Sequence, residues 1–184
     1  MKIEIIQKGF TLFQNKYEIL INGRKVYKAK NKLFSFKPTI DIIDNHGDIV
    51  CSILGKTFSN RNFPSFSVEK FGTNFTIKTL NVNDYELKTG NQTISFFEQE
   101  GRYIGIFIKE EQVGIISKNK KSYGGGDKYK ALYKETIIKP LPVICFIIGY
   151  DFYKKDDDSI SIVNVDYGNI YIKPTKKVDL NWKP

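Results

Sequence analysis

The segment "KPLPVICFIIGYDFYKKDDD", from Lys139 to Asp158, decides the fold. It is apolar from Leu141 to Tyr150 and then abruptly charged, whereas charged and apolar residues are interleaved in the rest of the chain. A run of this length is far short of the roughly 20 apolar residues that a membrane-spanning helix needs. The segment is therefore a buried strand or a buried helix.

The prolines and lysines of this segment favour the helix. Pro140 and Pro142 suit the first turn of a helix and would disrupt a central strand, although the β-branched residues between them and Tyr150 favour a strand locally. Lys154 and Lys155 would then lie at the C-terminal end, where cations complement the helix dipole. We predict a helix over residues 142–155, apolar on nearly every face and hence buried on all sides.

The remainder of the chain has the pattern of short β-hairpins. "YEILINGRKVYKAK" contains Asn22-Gly23 between two alternating runs, which is the strongest short-range hairpin signal. Comparable runs recur around Gly47, Gly72, Gly90 and Glu110, and "DKYKALYKETII" adds one or two strands. With 14 Phe, 11 Tyr and few alanines, the composition also favours strands. We predict about ten to twelve antiparallel strands, closed into a barrel so that no long edge is exposed.

The length of 184 residues is that expected of one domain with a substantial core. We predict that residues 1–158 form the barrel with its central helix. Residues 159–184 are predicted to form a C-terminal β appendage, or tail, outside the barrel, with a strand pair around Gly168-Asn169.

Two stretches carry a resemblance to a known family. "KAKNKLFSFKPTIDIIDNHGDIVCSI" has a basic strand, an aromatic step and a hairpin, and "DKYKALYKETIIKPLPVICFIIGYDFYKKDD" has a strand leading into an apolar helix. In this order they resemble the tubby C-terminal-like superfamily, in its LURP-one-related and phospholipid-scramblase-like branches. The resemblance covers roughly Tyr17 to Asp157. It implies a barrel of twelve strands around a central hydrophobic helix.

The sequence departs from that pattern in one region. Scramblases carry an acidic, calcium-associated segment ahead of the helix, but this chain has "KNKKSYGGGDKYK", in which Asp127 is the only acidic residue. Calcium requires several oxygen ligands with carboxylates among them. Calcium-dependent activity is therefore not implied here, and no residues match the phosphoinositide pocket of tubby proteins.

Candidate catalytic residues are few. His46, the only histidine, lies in a predicted hairpin turn, where a solvent-facing role is favoured over that of a general base. Cys51 and Cys145 form no zinc-binding cluster with histidine, and Cys145 reads as a buried thiol. Asp151, a carboxylate in an apolar helix, needs a partner if it is buried; we expect it either to pair with an inward lysine or to lie exposed at the barrel mouth. We predict no enzymatic activity, no metal and no cofactor.

The net charge of +9 is the main functional signal. Basic residues surround a glycine-rich loop, at Lys118, Lys120, Lys121, Lys128 and Lys130, and a second run comprises Lys25, Lys28, Lys30 and Lys32. Such residues suit anionic lipid headgroups, phosphoinositide-like groups among them, or another polyanion. Nucleic acid is disfavoured because the chain has only three arginines.

Two other functions remain open. The lysines are also typical of solvated strand faces, in which case the protein is a structural or protein-interaction scaffold with no small ligand. A carboxylate-based hydrolase has only scattered acidic residues in its favour. Glu4 and Lys8 interrupt any N-terminal hydrophobic region, so no secretory signal is predicted and we expect a cytoplasmic protein, peripheral at the membrane if it binds lipid.

Overall fold

The computed structural model describes residues 1–11, 14–32, 39–55, 66–70, 73–81, 83–119, 126–157 and 173–184. Within these ranges lie twelve β-strands and one α-helix. The strands are β1 Lys2–Thr11, β2 Gln14–Ile21, β3 Arg24–Asn31, β4 Thr39–Asp44, β5 Ile49–Gly55, β6 Phe66–Lys70, β7 Thr73–Asn81, β8 Asp84–Thr89, β9 Gln92–Glu98, β10 Tyr103–Ile108, β11 Glu111–Lys118 and β12 Lys128–Tyr133. The helix α1 is Pro140–Asp157. The predicted all-β architecture with a single helix is confirmed.

The strands form a closed barrel in which every pair of strands is antiparallel. Each pair joins strands that are consecutive in the sequence, except the pair that closes the ring. That pair is β1 with β12, so Ile3 on β1 lies between Ile21 of β2 and Ala131 of β12. The hairpin pattern of the sequence did not predict strand β1 at the N-terminus. The "DKYKALYKETII" segment supplies only β12, followed by a turn, and β1 supplies the remaining strand.

The turns form where the sequence supplies residues that tolerate positive φ. Asn22 and Gly23 have φ of 50° and 82° between the paired residues Ile21 and Arg24, as a two-residue hairpin of this kind requires. The predicted turns at Gly47 and Gly90 are likewise confirmed. The turn predicted at Gly72 lies outside the described residues, although the flanking strands β6 and β7 pair with each other.

The helix α1 fills the barrel. It begins two residues before the predicted start because both prolines are accommodated in its first turn, where no backbone N–H is needed for intrahelical bonding. The six residues from Val143 to Ile148 are at most 1% exposed. Phe146 stacks on Phe96 of β9 with ring centroids 3.6 Å apart, and it makes a T-shaped contact with Tyr85 of β8 at a centroid distance of 5.5 Å. Burial of such side chains contributes about 1.5–3 kcal/mol each and fixes the helix inside the strands.

A second apolar cluster lies on the outer side of the barrel. Its buried members are Phe107 of β10, Ile115 of β11 and Val178. Val178 belongs to residues 173–184, which we call the tail; the tail contains no strand or helix and lies across the outer side of β8 to β11. The strand pair predicted around Gly168-Asn169 lies outside the described residues.

Candidate functional site

The predicted basic residues divide between the two faces of the barrel wall. On β12, Tyr129, Ala131 and Tyr133 are buried in the core, so Lys128 and Lys130 point outward, as the period of two in a strand requires. Lys120 and Lys121 lie outside the described residues. Lys128 and Lys130 are thus the members of the predicted group that the structure places on one outer surface.

Lys118 of β11 does not share that surface. It stands opposite the inward-facing Tyr129, and its Nζ lies 5.6 Å from the centre of the Tyr129 ring. The same Nζ is 3.3 Å from Oδ2 of Asp127, whose side chain is fully buried. Lys118 therefore neutralises a buried carboxylate at one end of the barrel interior.

The barrel brings the second predicted group next to Lys128 and Lys130. Ile3 and Ile5 of β1 and Tyr17 and Ile19 of β2 are buried inward, so the residues that alternate with them face outward. Strands β12, β1, β2 and β3 are consecutive around the ring. We call their common outer surface the basic face; its lysines are Lys2, Lys8, Lys16, Lys25, Lys28, Lys30, Lys128 and Lys130.

Two carboxylates share the basic face with these eight lysines. Glu4 lies 3.0 Å from Lys2 and 3.7 Å from Lys128. Glu18 lies 3.0 Å from Lys8 and 2.8 Å from Lys25. The hydrogen bond from Lys2 lowers the pKa of Glu4, and hydrogen bonds from its two lysines lower the pKa of Glu18. Both carboxylates are accordingly charged at neutral pH, and each is shared between two cations.

The remaining lysines of the basic face have no ion pair with a described residue: Lys16, Lys28, Lys30 and Lys130. Lys16 of β2 and Lys30 of β3 occupy directly opposite positions on paired strands, and both are exposed. Like charges at opposite positions destabilise a sheet. The face thus holds more positive charge than its own two carboxylates neutralise.

Lys32, the last of the second group, follows β3 and serves another carboxylate. Its Nζ is 3.6 Å from Asp41 of β4, a residue that also accepts a 2.6 Å hydrogen bond from Ser52. Asp41 is 3% exposed. Lys32 therefore pairs with a carboxylate of the neighbouring strand β4, at the position directly opposite Lys30.

Asp151 of α1 finds its partners in two tyrosines. The hydroxyl of Tyr17 donates to Oδ2 at 2.7 Å, and the hydroxyl of Tyr129 donates to Oδ1 at 2.8 Å. Burial, reinforced by the charge of Asp151, raises the pKa of both tyrosines well above the ordinary value, so they stay protonated donors. The expected exposed position is therefore wrong, because Asp151 is buried, and these two partners are tyrosine hydroxyls of the barrel wall rather than an inward lysine.

A second carboxylate is buried in the same manner. Glu98 at the end of β9 is fully buried and accepts a 2.6 Å hydrogen bond from the hydroxyl of Tyr85. Burial, with the nearby charge of Glu98, raises the pKa of Tyr85. These hydrogen bonds connect Asp151 of the helix to β2 and β12, and Glu98 of β9 to β8.

The other predicted candidates are placed as follows. His46 is exposed in the turn between β4 and β5, where its backbone N–H donates to Asp44 at 2.8 Å. Cys51 and Cys145 are both buried thiols, with their sulfur atoms 3.7 Å apart. Across the described ranges, no group of three or more potential ligands is arranged to hold a metal ion. None of the described helical segments has the length and apolar character to span a membrane.

Comparison with known proteins bears on the barrel in particular. Searches of the curated proteins and of the solved structures give no match. The family model described as LURP-one-related matches residues 1–132, which include all of β1 to β11 and all of β12 except its last residue. This family is related to the tubby-like superfamily, so the resemblance seen in the sequence is confirmed. The chain belongs to the LURP-one-related family.

Proposed function

We propose that this protein is a non-enzymatic binding module whose basic face docks on an anionic surface, in the first place a membrane leaflet that contains anionic lipids. The observation that carries the proposal is the pair Lys16 and Lys30, both exposed and directly opposite each other on β2 and β3. Neither has an ion pair with a described residue, and their face carries eight lysines and two glutamates. Such a like-charge arrangement costs stability, which a binding role would explain.

The shape of the face supports a planar partner. Its lysines are spread over four adjacent strands rather than gathered around one pocket. Lysine is a compact point charge suited to long-range attraction, whereas bidentate recognition of single phosphates or bases favours arginine. Among the described residues, Arg24 alone of the arginines adjoins this face, at the start of β3. Each lysine near an anionic leaflet contributes about 1 kcal/mol, so several together give measurable binding.

The proposal is tested with the full chain and vesicles of stated composition. Cosedimentation is measured with phosphatidylcholine vesicles and with vesicles that contain increasing fractions of phosphatidylserine, at about 0.1 M and about 1 M salt, where the screening length falls from roughly 10 Å to 3 Å. We expect binding that rises with the phosphatidylserine fraction and falls steeply at high salt. Equal binding to neutral vesicles, or binding indifferent to salt, would overturn the proposal.

Two further arms identify the source of the negative charge. Inositol hexakisphosphate added to the vesicle assay reports whether soluble phosphates occupy the face, and a DNA duplex reports whether nucleic acid does. We expect vesicles to be preferred over the duplex at equal concentration of negative charge, because the face is broad and poor in arginine. Preference for the duplex would contradict the choice of a lipid surface.

A protein-interaction scaffold with no small ligand is the second candidate function. The observation in its favour is the barrel interior, in which the helix residues from Val143 to Ile148 are at most 1% exposed. A small-molecule site needs a concave pocket of several hundred Å³, and the helix takes up the interior space where a barrel would offer one. Absence of vesicle binding at low salt would favour this second function.

A further inference from the structure

The tail is held on the outside of the barrel in the manner of a bound peptide. It forms no helix and no strand, so its backbone groups are not satisfied by secondary structure of its own. Several are bonded instead to side chains of the barrel. The side-chain amide of Gln112 donates to the carbonyl of Asp179 at 3.0 Å and accepts from the N–H of Asp179 at 2.9 Å.

Side chains of the tail occupy defined places along the same path. Val178 is 6% exposed and packs on Phe107 and Ile115. A Cβ at Gly105 of β10 would overlap the Val178 side chain, so glycine leaves the space that valine occupies. The indole N–H of Trp182 donates to the backbone carbonyl of Gln112 at 3.0 Å. The barrel thus contacts two anchors of the tail separately: the β-branched Val178 and, four residues later, the aromatic Trp182.

A cation precedes these two anchors. Nζ of Lys176 lies 4.5 Å from the centre of the Phe107 ring and 2.7 Å from a carboxylate oxygen of Glu110. The backbone carbonyl of Lys176 accepts a 3.0 Å hydrogen bond from the side chain of Gln99. Backbone hydrogen bonds combined with pockets for particular side chains are one recurring basis of peptide recognition.

We propose that the outer surface of β9 to β11 is a peptide-docking groove, which the tail occupies within the same chain and which takes from a partner protein a segment of the same chemistry. That chemistry is a cation, a β-branched apolar residue two positions later and a tryptophan four positions after that, as in Lys176, Val178 and Trp182. The tail itself is the argument for this occupant, since it shows which peptide the groove fits. The groove shares no strand with the basic face and does not depend on the proposed lipid binding.

The test uses the full chain with its own tail disabled. In Val178→Asp a charge would have to be buried against Phe107 and Ile115, so the tail should leave the groove. Trp182 is the only tryptophan of the chain, and its emission should shift to longer wavelength on release. The probe is a fluorescein-labelled peptide with the sequence of residues 173–184, and its binding is measured by fluorescence anisotropy.

We expect the probe to bind the Val178→Asp chain with half-saturation below about 1 mM, the effective concentration of a short tethered ligand. Binding to the wild-type chain should be at least tenfold weaker, since the resident tail competes. A probe that carries Val178→Asp, and a chain with the added change Gly105→Leu, should give no binding. An unchanged tryptophan emission, equal binding to both chains, or no binding to the released chain would each overturn the proposal.

A second variant covers a failure of Val178→Asp to give soluble protein. Val178→Ala combined with Trp182→Ala removes both anchors without adding a charge, and the same labelled probe is used. The expected order of affinities is unchanged, with the anchor-free chain binding the probe at least tenfold more tightly than the wild type. The reverse order, or equal affinities, would contradict docking in this groove.

Discussion

The hydroxyl of Tyr129 donates a 2.8 Å hydrogen bond to Asp151, and this bond joins the barrel wall to the helix that fills it. Tyr17 holds the other oxygen of the same carboxylate from strand β2. Strands β2 and β12 lie on either side of β1. The place where the ring closes is therefore also the place where the helix is anchored.

Tyr129→Phe should lower the free energy of unfolding by about 1.5–3 kcal/mol, the range for a hydrogen bond to a charged group. The change in the free energy of unfolding is measured by urea unfolding, followed by circular dichroism. Tyr103→Phe, at a tyrosine that is 38% exposed, is the matched control and should stay within about 0.5 kcal/mol of the wild type. A loss of equal size in both variants would show that the contact with Asp151 is not the cause.

Replacing Tyr17, Tyr129 and Asp151 together should lower the free energy of unfolding by less than the sum of the three single changes. In Tyr17→Phe, Tyr129→Phe, Asp151→Leu no hydroxyl or carboxylate of this set remains to be satisfied, and replacement of all partners by apolar groups can be nearly neutral. We expect the triple variant to be more stable than Asp151→Leu alone, by urea unfolding under the same conditions. Additive losses would argue against a coupled network.

Alkaline pH should unfold the protein cooperatively. Burial raises the pKa of Tyr17, Tyr85, Tyr129 and Tyr133 in the folded chain, whereas unfolded tyrosines ionise near pH 10. The unfolded chain thus loses protons first, so stability is complete below about pH 10 and falls as the pH rises above it. Absorbance at 295 nm and circular dichroism should change together above pH 10. Ionisation of the buried tyrosines with a native circular dichroism spectrum would contradict this.

Substitution by Met should lower stability at Lys118 and weaken vesicle binding at Lys130. Lys118→Met removes the cation next to the buried Asp127 and should cost roughly 1–3 kcal/mol in urea unfolding, with little change in vesicle binding. Lys130→Met should leave stability within about 0.5 kcal/mol and weaken vesicle binding. The reverse pattern would place Lys118 on the binding surface and remove Lys130 from it.

Local features of the fold were predictable because local chemistry determines them. Asn22-Gly23 tolerates the positive φ of a tight hairpin, and Pro140 and Pro142 suit the first turn of a helix. Strand β1 escaped prediction because "KIEIIQKGF" is followed by no clear turn signal, and its partner β12 lies more than 120 residues away. Closure of the ring depends on that pairing, which no local pattern encodes.

The candidate site was only partly predictable for the same reason. Alternation with Ile116 already places Lys118 on the inward face of β11, and this signal was available in the sequence. By contrast, Lys16 joins Lys28 and Lys30 only through the register of β2 with β3, and Lys2 and Lys8 join Lys128 only through closure of the barrel. Tyr17, the partner of Asp151, is separated from it by 134 positions.

The most direct test of the basic face is a comparison of two charge-reversal variants with the same net charge. One carries Lys16→Glu, Lys28→Glu and Lys30→Glu on the face, and the other carries Lys139→Glu, Lys177→Glu and Lys183→Glu at exposed positions elsewhere. Binding to phosphatidylserine-containing vesicles at low salt is measured for both. We predict that the first variant binds at least about tenfold more weakly than the second, since each lysine contributes about 1 kcal/mol at the surface. Equal affinities would show that net charge alone governs binding and would contradict a basic face with a binding role.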